Sequence, residues 1–336
     1  MQQDDCDVVV LPEDHVPGPS RYMKLWFSDG NVVLRTKEHM MLVHRSLLSV
    51  HSRVLRDMFT MPQPPGEELR NGHPVIDMPD ESNHLIHMLT SIYNPSYLRA
   101  HLYDFDFLVA LLRISTKYEV TDLRQTAVDR LQLGLPTTLQ TFDDPTHAKA
   151  REEAMDNAIQ LVNLVRETNC PELLPCAFYY CTQLPTTTVL EGDGVHSLSW
   201  PDVAACLKGR ELLFDAQRND THRFMFAANG QAWCSHCDYE VEVYGPHPSP
   251  PVNLASTQTS RPICLSYVPT DELWDSLGGC DLCIAEHKSL LKYGREGVWK
   301  KLPSMFGLGT WEELAKTQYA LLDEPYYEKN TWHRRA

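Results

Sequence analysis

Four of the ten cysteines stand in pairs whose spacing suits a metal. Trp233-Cys234-Ser235-His236-Cys237 and Gly279-Cys280-Asp281-Leu282-Cys283 are two C-x-x-C knuckles. Zinc prefers four soft ligands in a tetrahedron, and a two-residue spacer lets both thiolates of a knuckle face one ion. Gly278-Gly279 gives the second knuckle backbone freedom for a tight turn, and helical spacing follows Cys283. Residues 238–279 outrun the usual spacer of ~15–20 residues, although loop closure grows costlier only slowly with length. The expectation is a structural Zn2+ held by Cys234, Cys237, Cys280 and Cys283. Four buried thiols are the plainer alternative. A redox dithiol is a third, but it lacks the βαβ setting such motifs need. His222, His236 and His287 are alternative ligands.

Other chemistry is sparse. The chain has no G-x-S-x-G, no P-loop, no G-x-G-x-x-G and no H-E-x-x-H. Glu152-Glu153 and Glu312-Glu313 read as partners of helix dipoles rather than as acid–base pairs. No catalytic residue and no cofactor-binding residue is assigned. A zinc-dependent enzyme remains the alternative at the C-x-x-C pairs, and it would need an open fourth position and a nearby base. Four thiolates favour a closed site.

The formal charge of −15 repels phosphate backbones and acidic membranes. Lys300-Lys301 and Arg334-Arg335 are too short to form a basic stripe, so neither nucleic acid nor membrane is expected as a partner. No apolar run approaches the ~20 residues of a membrane span. The opening Met1-Gln2-Gln3-Asp4-Asp5 is unlike a secretory signal, which points to the cytoplasm or nucleus. Thiols in such compartments stay reduced. Cys6, Cys170, Cys176, Cys181, Cys206 and Cys264 lie singly and read as small buried hydrophobes.

The elements that would position these groups fall in an order. Residues 1–19 hold Pro12, Pro17, Gly18 and Pro19 and read as a flexible tail. Residues 20–135 read as an α+β domain. Val32-Val33-Leu34 and Met40-Met41-Leu42-Val43 form a hairpin, and one helix carries Leu47 to Phe59. Val75-Ile76-Asp77-Met78 forms a third strand. Helices follow on Leu85, Met88, Leu89 and Ile92, then from Asp104, then over residues 121–133. Residues 136–230 read as a helical extension that begins with a linker over 137–147. One helix is expected to carry Met155, Ile159, Val162 and Val165, another to open at Pro171, and a third to be capped by Ser199. Residues 231–336 read as a C-terminal module with the paired knuckles and terminal helices. The fold class is α+β and helix-rich.

Several of these segments share a likeness. Phe27-Ser28-Asp29, Val32-Val33-Leu34, Val43-His44-Arg45-Ser46-Leu47-Leu48, residues 51–59, Asp77-Met78-Pro79-Asp80, residues 89–93 and residues 111–120 stand in one order. That order resembles a BTB/POZ domain: strand, strand, a helix led by "VHR", loop, strand, helical pairs. The whole chain is similar to BTB proteins of mushroom-forming fungi, which share a segment like Leu207-Lys208-Gly209-Arg210-Glu211-Leu212. They also share a close like the one over residues 299–308. The resemblance implies a docking surface for other proteins, through self-association, service to a cullin-type ubiquitin ligase, or a transcription-linked scaffold. It also implies that Asp29 and Arg45 match a charged pair in a shallow groove, which reads either as partner recognition or as ordinary surface charge. Two departures matter. Pro12, Pro17, Gly18 and Pro19 oppose the leading helix that many of the family's dimers use, so self-association should be weak. Met61-Pro62-Gln63-Pro64-Pro65-Gly66-Glu67-Glu68 carries no clean apolar-x-acid triplet, which leaves a cullin unsupported.

Overall fold

The computed structural model describes residues 19–61, 68–70, 72–222, 261–276 and 281–322; the side chains at 273, 275, 276, 283 and 317–322 are not described. The chain divides into two compact units, Met1–Arg124 and Gln125–Ala336. Both are helix-rich, and the first adds a five-stranded mixed sheet, so the class is α+β.

In the first unit the sheet order is β1-β3-β2-β5-β4. The strands are β1 (Ser20–Trp26), β2 (Val32–Arg35), β3 (His39–Val43), β4 (Leu69–Arg70) and β5 (His73–Asp77). The central strands β2 and β3 pair antiparallel and are buried almost throughout, as their unbroken apolar runs require. Thr36 closes the hairpin, its hydroxyl accepting the His39 N–H at 3.1 Å. Strand β5 returns parallel to β2, with Val33 opposite Val75. The first strand expected from the sequence is Val32-Val33-Leu34, and β1 was not anticipated. This strand lies along β3 at the edge of the sheet. It exposes Arg21 and Lys24, charges that discourage further edge pairing.

Between β3 and β4 the single expected helix is two, α1 (Arg45–His51) and α2 (Arg53–Thr60). Ser52 breaks them apart. Its backbone is extended, and its hydroxyl accepts the Leu55 N–H at 3.0 Å while donating to the Tyr118 carbonyl at 2.6 Å. His44 stands at the N-cap of α1, with no side-chain cap hydrogen bond. Then come α3 (Ser82–Tyr93), α4 (Pro95–His101), α5 (Phe105–Lys117) and α6 (Thr121–Leu131), within which the two units divide. The short helix α4 was not anticipated; Asn94 caps it with Pro95 at its first position. Leu48, Leu55, Leu89 and Leu112 are fully buried and Phe59 and Tyr118 nearly so, as their periodicity predicts.

The second unit contains α7 (Leu139–Asp143), α8 (Ala148–Asp156), α9 (Ala158–Glu167), α10 (Leu174–Cys181), α11 (Thr186–Glu191) and α12 (Trp200–Ala216). After these come α13 (Asp271–Ser276), α14 (Asp281–Met305) and α15 (Trp311–Leu322). Every residue of α10 is buried, and Cys170, Cys176, Cys181, Cys206 and Cys264 are buried as read from the sequence. Three expectations need correction. The stretch 137–147 is not a bare linker, because α7 packs on α14. Phe142 meets the Trp299 ring at 5.1 Å, and Asp143 pairs with the Arg295 guanidinium. The helix expected through Met155 and Ile159 breaks at Asn157, and Glu152-Glu153 sit inside α8 rather than at its start. Ser199 caps α12 as expected, but the helix ends at Ala216 and widens into a π-helical turn, Gln217–Thr221.

Two segments far apart in sequence meet in this unit. Gly209 of α12 lies so close to Phe306 that a Cβ there would fall 2.1 Å from the ring. Phe306 in turn stacks on Phe178 at 5.3 Å. The adjacent Arg210 is buried and donates to the carbonyls of Thr182 and Leu184 and to the Thr186 hydroxyl.

Candidate functional site

The first unit gathers its polar and aromatic groups around the start of α1. Gly30 has no room for a side chain against Leu42, which holds the turn before β2 tight and turns Asp29 outward. Phe27 closes β1 on one side of that turn, His44 precedes α1, and Tyr93 ends α3. Phe27 and Tyr93 stack at 4.5 Å, with the His44 ring 5.3 Å from Phe27.

The Tyr93 hydroxyl accepts the His44 backbone N–H at 2.9 Å and lies 3.0 Å from His44 Nδ1. The Nε2 of His44 faces Asp29 Oδ1 at 3.3 Å. With Tyr93 donating to Nδ1, the proton sits on Nε2 and is directed at Asp29. Hydroxyl, imidazole and carboxylate in series can activate a nucleophile. Burial raises the Tyr93 pKa.

Asp29 and Arg45 were read as one charged pair, and the structure gives them different partners. Asp29 is largely exposed and faces His44. The Arg45 guanidinium donates to the Phe59 carbonyl and lies over the Phe59 ring, while its backbone N–H binds Asn31 at 2.8 Å. The sequence carried no signal for the Asp29–His44–Tyr93 series, because His44 and Tyr93 stand far apart in the chain and meet only through the sheet.

A second feature lies within the second unit. A cleft of about 350 Å³ opens beside the π turn and α14, lined by Asp215, Asp220, Lys301, Ser304, Leu212 and Met305. His222, just past the π turn, is fully buried; its ring meets the Thr221 hydroxyl at 2.8 Å and the Tyr267 carbonyl at 3.2 Å. Burial pushes its pKa down to about 4. Both ring nitrogens are engaged, so His222 is not poised as a metal ligand. Burial also lowers the pKa of His287.

The expected zinc ligands Cys234, Cys237 and Cys280, with His236, lie outside the described residues, as does the side chain of Cys283 at the start of α14. Among the described residues no group of three or more His, Cys, Asp or Glu is placed to hold a metal ion. The sequence matches no family model and no curated protein. No helix among the described residues is long and apolar enough to cross a membrane.

Proposed function

We propose that this chain is a protein-interaction adaptor built on a BTB/POZ-type domain in its first unit. One observation carries the reading. Val43-His44-Arg45 ends a central strand and opens a pair of short helices, after which β5 returns parallel to β2. The motifs quoted for the resemblance stand in that same order. Under this reading the exposed Asp29, above Phe27, His44 and Tyr93, is the contact point for a partner that brings donors or positive charge. Self-association is weak because prolines interrupt the leading segment. A cullin-type ligase is one partner class that the resemblance raises and a transcription-linked scaffold is another; residues 62–67 of the loop that would meet a cullin lie outside the described residues. A structural zinc on Cys234, Cys237, Cys280 and Cys283 completes the proposal and would tie the C-terminal module together.

The test is affinity capture with the intact chain and with Asp29→Lys, after matching their thermal melts. Proteins retained by the first and lost by the second are the expected result. A set of captured proteins unchanged by Asp29→Lys sinks the groove, and a set empty except for chaperones sinks the adaptor reading.

A further inference from the structure

Arg210 of α12 carries a buried charge that no acid answers. Four of its five N–H groups have acceptors. Nε and Nη2 donate to the Thr182 carbonyl at 3.1 and 2.7 Å, and Nη2 donates also to the Leu184 carbonyl. Nη1 donates to the Thr186 hydroxyl at 2.7 Å. The two carbonyls follow the end of α10 and welcome a cation, as helix C-termini do. No carboxylate among the described residues bonds to this guanidinium. Buried charges ordinarily have a counter-charge.

A second guanidinium is brought to the same place. The Pro262 carbonyl accepts Gln183 Nε2 at 3.1 Å, at the turn that receives Arg210. The following N–H, of Ile263, donates to Gln217 of the π turn at 2.6 Å. Two hydrogen bonds thus pin the backbone beside Arg261. The Arg261 side chain is exposed and makes no ion pair among the described residues. Burial foremost, with the Arg261 charge adding to it, lowers the pKa of Arg210, so the two cations are within electrostatic range. The acids of neighbouring elements do not offset them. Asp202 is bound by Arg166 at 2.8 Å, and Asp193 accepts the N–H groups of Val195 and His196. The exposed Glu191 and Glu211 bond to neither arginine. In a chain of net charge −15, acids are plentiful, yet these two cations meet without one.

Three kinds of donor remain at this spot. The Thr186 hydroxyl accepts from Arg210, so its own proton is free to be donated, and Thr186 is exposed. Next to it is the fifth N–H of Arg210, on Nη1. The third is the Arg261 fork. A carboxylate would be filled by one guanidinium alone, whereas donors from three side chains suit a tetrahedral dianion with several free oxygens. We propose that Thr186, Arg210 and Arg261 form a binding site for a soluble phosphate, as the free ion or a small monoester. A phosphate on an acidic bilayer is disfavoured by the chain's own negative charge. The inference stands independently of the adaptor reading, since it concerns only the second unit.

The experiment titrates the full chain into inorganic phosphate at constant ionic strength and about pH 7.5, where phosphate groups are mainly doubly charged, and follows the phosphorus NMR line width. Saturable broadening is the expected result. Arg261→Gln, at an exposed position, should weaken the binding by about tenfold or more, the loss of one charge-assisted contact. Arg218→Gln removes an exposed arginine of the π turn and should leave the binding unchanged. Thermal melts check that both variants are folded. Absence of saturable broadening, an undiminished effect in Arg261→Gln, or an equal loss in both variants overturns the proposal. Vesicles of phosphatidylcholine with phosphatidic acid present the same group on a bilayer, and binding to them without binding to the free ion overturns it as well.

Discussion

Ser52 satisfies two backbone groups at once, the Leu55 N–H and the Tyr118 carbonyl, from a site with no exposure to water. Removing its hydroxyl strips α2 of its cap and leaves a buried carbonyl without that donor. Ser52→Ala should cost about 1–3 kcal/mol in denaturant melts at an unchanged slope. An effect within ~0.5 kcal/mol would show that the surrounding packing, not the hydroxyl, sets the break. His222 supports a prediction in pH. Its folded pKa of about 4 lies below the ordinary 6.5, so between those values the unfolded chain binds more protons. The stability it contributes is whole above about pH 6.5 and lost as pH falls towards 4, by roughly 3 kcal/mol. His222→Gln, which keeps a donor for the Tyr267 carbonyl, should flatten that part of the stability profile. A profile unchanged by the substitution would assign the pH dependence to other groups.

The helices meet through contacts that tolerate little change. Leu112 of α5 is fully buried, and Leu112→Ala should cost about 2–5 kcal/mol as a buried truncation. Gly209 offers the opposite case. Any side chain there overlaps Phe306, so Gly209→Ala should destabilise the second unit by about 1–3 kcal/mol through overpacking, despite alanine's better helix propensity. A stabilised Gly209→Ala variant would mean that Phe306 yields freely. Periodicity found α3, α5, α10 and α12 because each has a strongly apolar face or a clear cap. It merged α1 with α2 and α8 with α9, because the apolar spacing runs on across Ser52 and Asn157. Short α4, α7 and α11 were too brief to show a period.

For the whole molecule, the proposed zinc links metal content to the folding of one unit alone. Purified under reducing conditions, the protein should carry about one equivalent of zinc by elemental analysis, and a chelator should lower its melting temperature. Cys280→Ser should speed hydrogen exchange in α14 and α15 and leave α3 and α5 unchanged. Substoichiometric zinc with a chelator-insensitive melt would return the four thiols to ordinary packing. The helix-rich α+β class and much of the element order were legible in the chain, since both follow from local apolar patterning.

The sequence by itself determined which segments are apolar on one face, where Ser199 and Asp104 start helices, and that single cysteines such as Cys176 and Cys206 are buried. These are local matters of burial and backbone hydrogen bonding, so residue type and spacing suffice. Only the tertiary structure decided that Asp29 faces His44 instead of Arg45, that β1 lies along β3, and that Gly209 meets Phe306. Each of these joins residues brought together by packing, and packing selects partners by shape and by the directions in which side chains leave the backbone, neither of which sequence spacing encodes.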